Sequence, residues 1–240
     1  IGRDLTHHGV SIVNVGTTGL GRFARIYQRA DPEADGQIEV PVACISDLDV
    51  MPDCAPEMIG KVKDGENRPE LADRKWRVVS DFDDATLMER REALRQRASG
   101  QRVETFVSDQ WTLEYDLAHC GLAREMWLAV QLASQDERIS QGRVSAFAVT
   151  RKALRSWAAF EAEELTTEEQ ASRIYAPLAK GNVSKPITVQ YLARILELSG
   201  SHKRTTDEWR AAFPQYLVSA IDYVTSLSDG PEPEEEQADA

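Results

Sequence analysis

An uncharged run of small and β-branched residues that stops abruptly at acids leaves few folds open, and residues 38–53, IEVPVACISDLDVMPD, contain one. Val40, Val42, Ala43, Cys44 and Ile45 carry no charge, and the run ends at Ser46-Asp47-Leu48-Asp49. Bounded by Pro41 and by acids, it reads as a buried parallel strand. Open α/β sheets bind ligands just beyond the carboxyl ends of such strands. If the strand runs on to Asp49, alternation puts the Asp47 and Asp49 carboxylates on one face. Crowded carboxylates repel, and a bound cation relieves them; oxygen-only ligands favour magnesium or manganese. Alone, an Asp-x-Asp is more often a solvated turn, so the neighbouring motifs decide its meaning.

Upstream, Val10–Val15 (VSIVNV) is a second β-type run, followed by the glycine turn GTTGLG. Arg22–Arg29 has helical spacing, with Phe23, Ile26 and Tyr27 on one face. Strand, turn, helix and strand make a βαβ unit, hence a parallel sheet. The glycine turn lacks the spacing of a Walker A loop and its Lys-Ser/Thr, so no ATP site is read here.

Residues 60–83 are polar and read as an exposed insertion. Asp84 opens a helix with a basic face of Arg90, Arg91, Arg95 and Arg97. Such a face is ordinarily solvated, but in an acidic protein it is also a possible phosphate-contacting surface. Val103–Val107 is the next strand; it ends at Ser108-Asp109, and Glu114 follows in the first turn of a helix running to about Ala133. The helix dipole alone favours an acid there.

Beyond Gly121 the pattern is helical. Phe147, Leu154, Trp157 and Phe160 read as core positions of a helix over 144–164. Thr166 with Glu169, and Thr205 with Glu208, form capping boxes. Pro186 suits the first turn of a helix over 187–198, and Pro214 interrupts the last one. Trp157, Tyr191, Trp209 and Tyr223 read as packing residues. Lys185 gains nothing from the dipole at a helix start, which leaves surface solubility or an anionic ligand to explain it.

The net charge is −12, but six of the acids fall in residues 229–240, which have the composition of a solvated extension. This argues against sequence-blind nucleic-acid binding by the whole surface. No apolar run can span a membrane and no secretory pattern opens the chain. Three sparse cysteines read as reduced cytoplasmic thiols, without a zinc site.

Taken together, VSIVNVGTTGLGRFARIYQR, PVACISDLDVMPDCAPEM and TFVSDQWTLEYDLA resemble the TOPRIM region of OLD-family nucleases, some of which serve in phage defence. The resemblance covers the first half of the chain well, and the remainder is similar to the family's C-terminal extension. It implies an α/β fold with a TOPRIM-like parallel sheet flanked by helices over 1–120, a helical extension over 121–228 and a disordered tail over 229–240. It implies a DNA endonuclease working with two Mg2+ or Mn2+ ions. Asp47 and Asp49 match the family's Asp-x-Asp and Glu114 the acid after the next strand; Ser108 and Asp109 fall where supporting ligands belong. Lys185, or else Lys180, takes the place of the catalytic lysine. DNA, an upstream ATPase domain and a homo-oligomeric assembly are the implied partners, with Arg90, Arg91 and Arg95 as candidate DNA contacts.

The departures matter equally. The family's first-strand Val-Glu-Gly would lie before Gly2, and Val10–Val15 ends without a carboxylate. The opening at Ile1 points to a C-terminal portion of a longer protein, short of one metal ligand. A non-catalytic interaction module is therefore the main alternative. A haloacid-dehalogenase-like phosphatase, which also opens its site with Asp-x-Asp, is disfavoured by the βα unit placed ahead of the motif.

Overall fold

The computed structural model describes residues 2–16, 19–63, 65–200 and 204–226. Its helices are α1 (Leu20–Ala24), α2 (Pro32–Asp35), α3 (Ala55–Met58), α4 (Asp84–Gln96), α5 (Leu113–His119) and α6 (Ala123–Ala133). They continue as α7 (Asp136–Ser140), α8 (Ala146–Glu161), α9 (Thr167–Ala179), α10 (Lys185–Gly200), α11 (Thr206–Ala212) and α12 (Gln215–Thr225). Two strands, β1 (Val42–Ser46) and β2 (Val103–Val107), pair in parallel with Val42 opposite Val103 and Ser46 opposite Val107. The protein is therefore α/β, with a small parallel sheet and a predominance of helix.

The chain divides into two compact units. The first comprises Ile1–Ser46, Arg90–Val107 and Tyr216–Ala240, the second Asp47–Glu89 and Ser108–Gln215. Each strand thus belongs to the first unit and hands the chain to the second at its carboxyl end.

The first unit has a modest core: Ala24, Cys44, Ala98 and Val103, with Leu20 and Val42 packed against it. A Cβ at Gly21 would lie 2.6 Å from the Arg97 carbonyl oxygen, so only glycine lets α1 approach the end of α4 this closely. The Gln28 amide donates to the Ala98 carbonyl at 2.9 Å, and Arg29 and Gln101 exchange backbone–side-chain hydrogen bonds. Tyr223 of α12 lies 5.9 Å from Phe106 of β2, ring to ring.

Several expectations are corrected here. Val10–Val15 forms no strand: Ile12 and Val13 are 82% and 72% exposed, and β-branched residues do not make a strand without a neighbour to pair with and a face to bury. Among the described residues the βαβ unit is therefore absent, and the parallel pair is joined through residues 47–102. The helix expected over 22–29 is instead α1 followed by a 3₁₀ turn, Arg25–Tyr27, and it buries Ala24 while Phe23, Ile26 and Tyr27 stay exposed. β1 is parallel as read, but not buried on both faces, since Ile45 is exposed. Thr17 and Thr18 of the glycine turn, and the acidic tail, lie outside the described residues.

The second unit is a helical assembly around α5, five of whose seven residues are buried. Tyr115 packs with Trp111 and Tyr175, whose rings lie 4.8 Å apart edge to face. Trp127 stacks on Phe160 at 4.8 Å beside Trp157. Both capping boxes form, Pro186 sits in the first turn of α10, and the break between α11 and α12 falls at Phe213-Pro214.

The helix expected to run from Glu114 to Ala133 is divided into α5 and α6. Gly121 donates its N–H to the Ala212 carbonyl at 3.0 Å, and a Cβ at Gly121 would lie 2.7 Å from the Ala212 Cα. That close approach sets the break. In α8 the buried stripe is Val149, Ala153, Trp157 and Phe160; Phe147 lies off it and is 74% exposed. Residues 60–83 are more than an exposed insertion: Val78 is fully buried, bridges Met51, and stands beside a nearly buried Arg74–Asp81 ion pair. Among the described residues no helix is long and apolar enough to cross a membrane.

Candidate functional site

The site is built where the two post-strand loops, 47–50 and 108–112, meet within the second unit. Ser108, wholly buried, accepts the Leu48 N–H at 2.7 Å and donates its hydroxyl to the Trp111 carbonyl at 3.1 Å. The Asp49 N–H reaches the same carbonyl at 3.2 Å. Leu48 and Val50 are each only 1% exposed, which anchors this loop. β1 stops at Ser46, and Asp49 takes a left-handed conformation (φ 56°). Strand alternation therefore does not extend to Asp49; a turn, not a shared strand face, sets the spacing of the two aspartates. Asp and Asn tolerate this conformation better than most residues.

The Asp47 carboxylate caps α5, its Oδ1 accepting the Leu113 N–H at 3.0 Å. Thr112 caps the same helix one step earlier, accepting the Tyr115 N–H. Glu114, one residue on from Leu113, is 8% exposed and meets Lys185 at the start of α10, Nζ to Oε2 2.9 Å. The Lys185 ammonium also stands 5.2 Å over the Tyr175 ring. This is why a lysine occupies a helix start that offers it no dipole energy: its partner is a nearly buried glutamate from α5.

Electrostatics tie the cluster together. Burial pushes the Asp47 pKa up; the Leu113 N–H opposes this, the nearby charges of Asp49 and Glu114 add to it, and Lys185 counters them. At Lys185, burial disfavours the charge, but hydrogen bonds to Glu114 and Tyr175 and the charge of Glu114 outweigh it, and its pKa rises. Asp47, Asp49, Glu114 and Lys185 thus share one neighbourhood.

The remaining expected residues are placed differently. Ser108 serves as the hydroxyl bridge between the loops. Asp109 is half-buried and lies beside Asp116. Lys180 is exposed at the C-terminal end of α9, its Cε beside Gly60. Arg90 and Arg91 of α4 are half-buried and belong to the first unit, while Arg95 is exposed with Glu92 at 3.8 Å.

One residue escaped the sequence reading. Asp116, completely buried in α5, accepts the backbone N–H groups of Asp109, Gln110 and Trp111 at 2.9, 3.2 and 3.0 Å. It folds the 108–112 loop onto the helix that carries Glu114. Burial raises its pKa to about 6 against those hydrogen bonds, with Asp109 adding to the rise. The available signal was an acid in the second polar position of a short helix directly after a strand end.

The oxygen-only donor set of Asp47, Asp49 and Glu114 is of the type that holds magnesium or manganese. Among the described residues, however, no three acidic, histidine or cysteine side chains converge closely enough to hold a metal ion. Glu114 gives one oxygen to Lys185 and Asp47 gives one to α5. No protein-family model, curated protein or solved structure matches the chain.

Proposed function

We propose that this chain is the nuclease portion of a TOPRIM protein of the OLD type, acting on DNA phosphodiester bonds with divalent cations. The observation that carries the reading is the convergence of the Asp47–Asp49 turn and the Glu114–Lys185 pair on one neighbourhood from three separate stretches of chain.

In this reading Asp47 and Asp49, with Glu114, hold part of the coordination shell of Mg2+ or Mn2+. The bound cations supply Lewis acidity at a phosphate oxygen and at water. Lys185, cationic and tethered to Glu114, places a positive charge where negative charge develops on the phosphate. Asp116 and Ser108 fix the loops that present these groups. In this reading an ATPase domain and a homo-oligomeric assembly are the partners that the nuclease works with. Arg95, exposed on α4, is the first choice among the arginines for a phosphate contact.

Calorimetric titration of Mn2+ and Mg2+ into this chain tests the proposal. Saturable binding is expected, weakened at least tenfold by Asp47→Asn together with Asp49→Asn. Identical heats from wild type and the double variant would overturn it. Absence of binding by either ion would favour a non-catalytic interaction module.

A further inference from the structure

The chain carries 40 acids against 28 bases, yet residues 138–160 hold five bases and no acid. Arg138 and Arg143 lead into α8, and Arg151, Lys152 and Arg155 lie within it. The helix packs inward through Val149, Ala153, Trp157 and Phe160. Phe147, Arg151 and Arg155 succeed one another at steps of four residues on the opposite side, and all three are exposed. Arg143 and Lys152 are exposed beside this ridge. Among the described residues none of these four cations has an acidic partner. The acids that border the stretch do not cover it: Glu137 accepts the Gln141 amide at 3.0 Å, Glu163 is paired with Arg173, and Glu161 stands at the far end of the helix.

Phe147 is the informative group. A charged helix face is ordinarily only solvated, but solvation does not account for a phenyl ring left 74% exposed on the same ridge, one turn ahead of two arginines. Cations interleaved with an exposed aromatic ring are the combination that holds single-stranded nucleic acid: the cations follow the phosphates, and an unpaired base stacks on the ring. Successive positions of the ridge rise by about 6 Å, so the ring and the two guanidinium groups are spread over about 12 Å of helix. A duplex keeps its bases paired and stacked and offers Phe147 no base face. An anionic lipid surface needs a continuous apolar face to bury, and α8 already packs its own against the core.

We infer that the exposed face of α8 is a docking surface for single-stranded DNA, with Arg151 and Arg155, flanked by Arg143 and Lys152, on phosphates and Phe147 against a base. The choice of DNA rests on the proposed function; the choice of an unpaired strand rests on Phe147. The surface shares no residue with the carboxylate cluster.

Fluorescence anisotropy of a labelled oligothymidylate with the intact chain, in EDTA and at low salt, tests this, with a duplex of equal length and phosphatidylserine vesicles as controls. The single strand is expected to bind at least tenfold tighter than the duplex, and the vesicles not at all. Arg151→Gln together with Arg155→Gln should weaken the single strand at least tenfold and flatten the slope of log affinity against log salt by about 1.4. Phe147→Ala should weaken the single strand at least fivefold and leave the duplex unchanged. All three side chains are exposed, so urea midpoints should stay at the wild-type value. No binding of the single strand, unchanged affinity in the double variant, or duplex or vesicles binding as tightly would each overturn the inference. EDTA separates this result from the metal titration: loss of binding in the α8 variants stands even where Mn2+ fails to bind, and failure here leaves the cation site untouched.

Discussion

Two acidic neighbourhoods flank the short helix α5, and they are built on opposite principles. Asp116 is completely buried and surrounded by donors: three backbone N–H groups from one loop converge on it. Asp47 instead feels the negative charges of Asp49 and Glu114, countered by Lys185, which is itself partly exposed. The first arrangement satisfies a carboxyl group and stabilises a loop. The second leaves like charges near one another, which serves folding poorly. The contrast separates an acid whose hydrogen bonds hold a loop from an acid set among like charges.

The contrast breaks most directly at Asp116. Replacing it with Ala strips three N–H groups of their acceptor in a dry setting, and a loss of about 4 kcal/mol is expected. Urea unfolding at pH 5 measures it; a loss below about 1 kcal/mol would mean that water substitutes for the carboxyl group and that the loop does not depend on it.

Next in size is the pH dependence. A carboxyl group at about 6 in the folded chain, against an ordinary value of 3.8, binds its proton more tightly when folded. Its stabilising contribution is complete below about pH 4 and is lost as pH rises through about 6, amounting to roughly 2–3 kcal/mol. Asp47, raised for the same primary reason, acts with the same sign. Unfolding midpoints across pH 4–7 should decline in the wild type, and the decline should shrink in Asp116→Asn. An equal decline in both proteins would locate the titration elsewhere.

A smaller effect is expected at Lys185. Lys185→Met leaves Glu114 nearly buried without its cation, but the lysine side chain is 41% exposed and solvent screens the pair. A loss of about 1 kcal/mol is expected, together with stronger Mn2+ binding through the oxygen released on Glu114. Weaker binding in this variant would show that the lysine organises the acids as well as neutralising them.

The smallest is Asp49→Asn. Asn tolerates the left-handed backbone there, and removing a charge near Asp47 should stabilise the metal-free chain by a few tenths of a kcal/mol. Destabilisation, read by the same urea midpoints, would argue that the aspartates are not in conflict.

Much of this site could be read from residue order alone. An apolar run ending in Asp-x-Asp, and a strand followed by a helix bearing Glu114, are local patterns with local causes, as are both capping boxes and the interruption at Pro214. Lys185 stood out because its position contradicted the helix dipole, and the structure supplies the reason. What could not be read depends on contacts between distant residues. Val10–Val15 has the composition of a strand, but composition does not provide a neighbour. The break between α5 and α6 rests on Ala212 approaching Gly121 across some ninety residues. Phe147 follows helical spacing loosely enough to be mistaken for core until the stripe through Val149 and Ala153 is seen. Asp116 looked like one more acid on a polar helix, since nothing local reveals that three amides will turn toward it.

The hydroxyl of Ser108 joins loops sixty residues apart through a single oxygen, accepting a hydrogen bond from the Leu48 N–H and donating one to the Trp111 carbonyl. Neither loop can therefore open without disturbing the other. Deuterium uptake at Leu48 would report motion in residues 108–112, making that one amide a gauge of whether the acids on both sides are held in place or released.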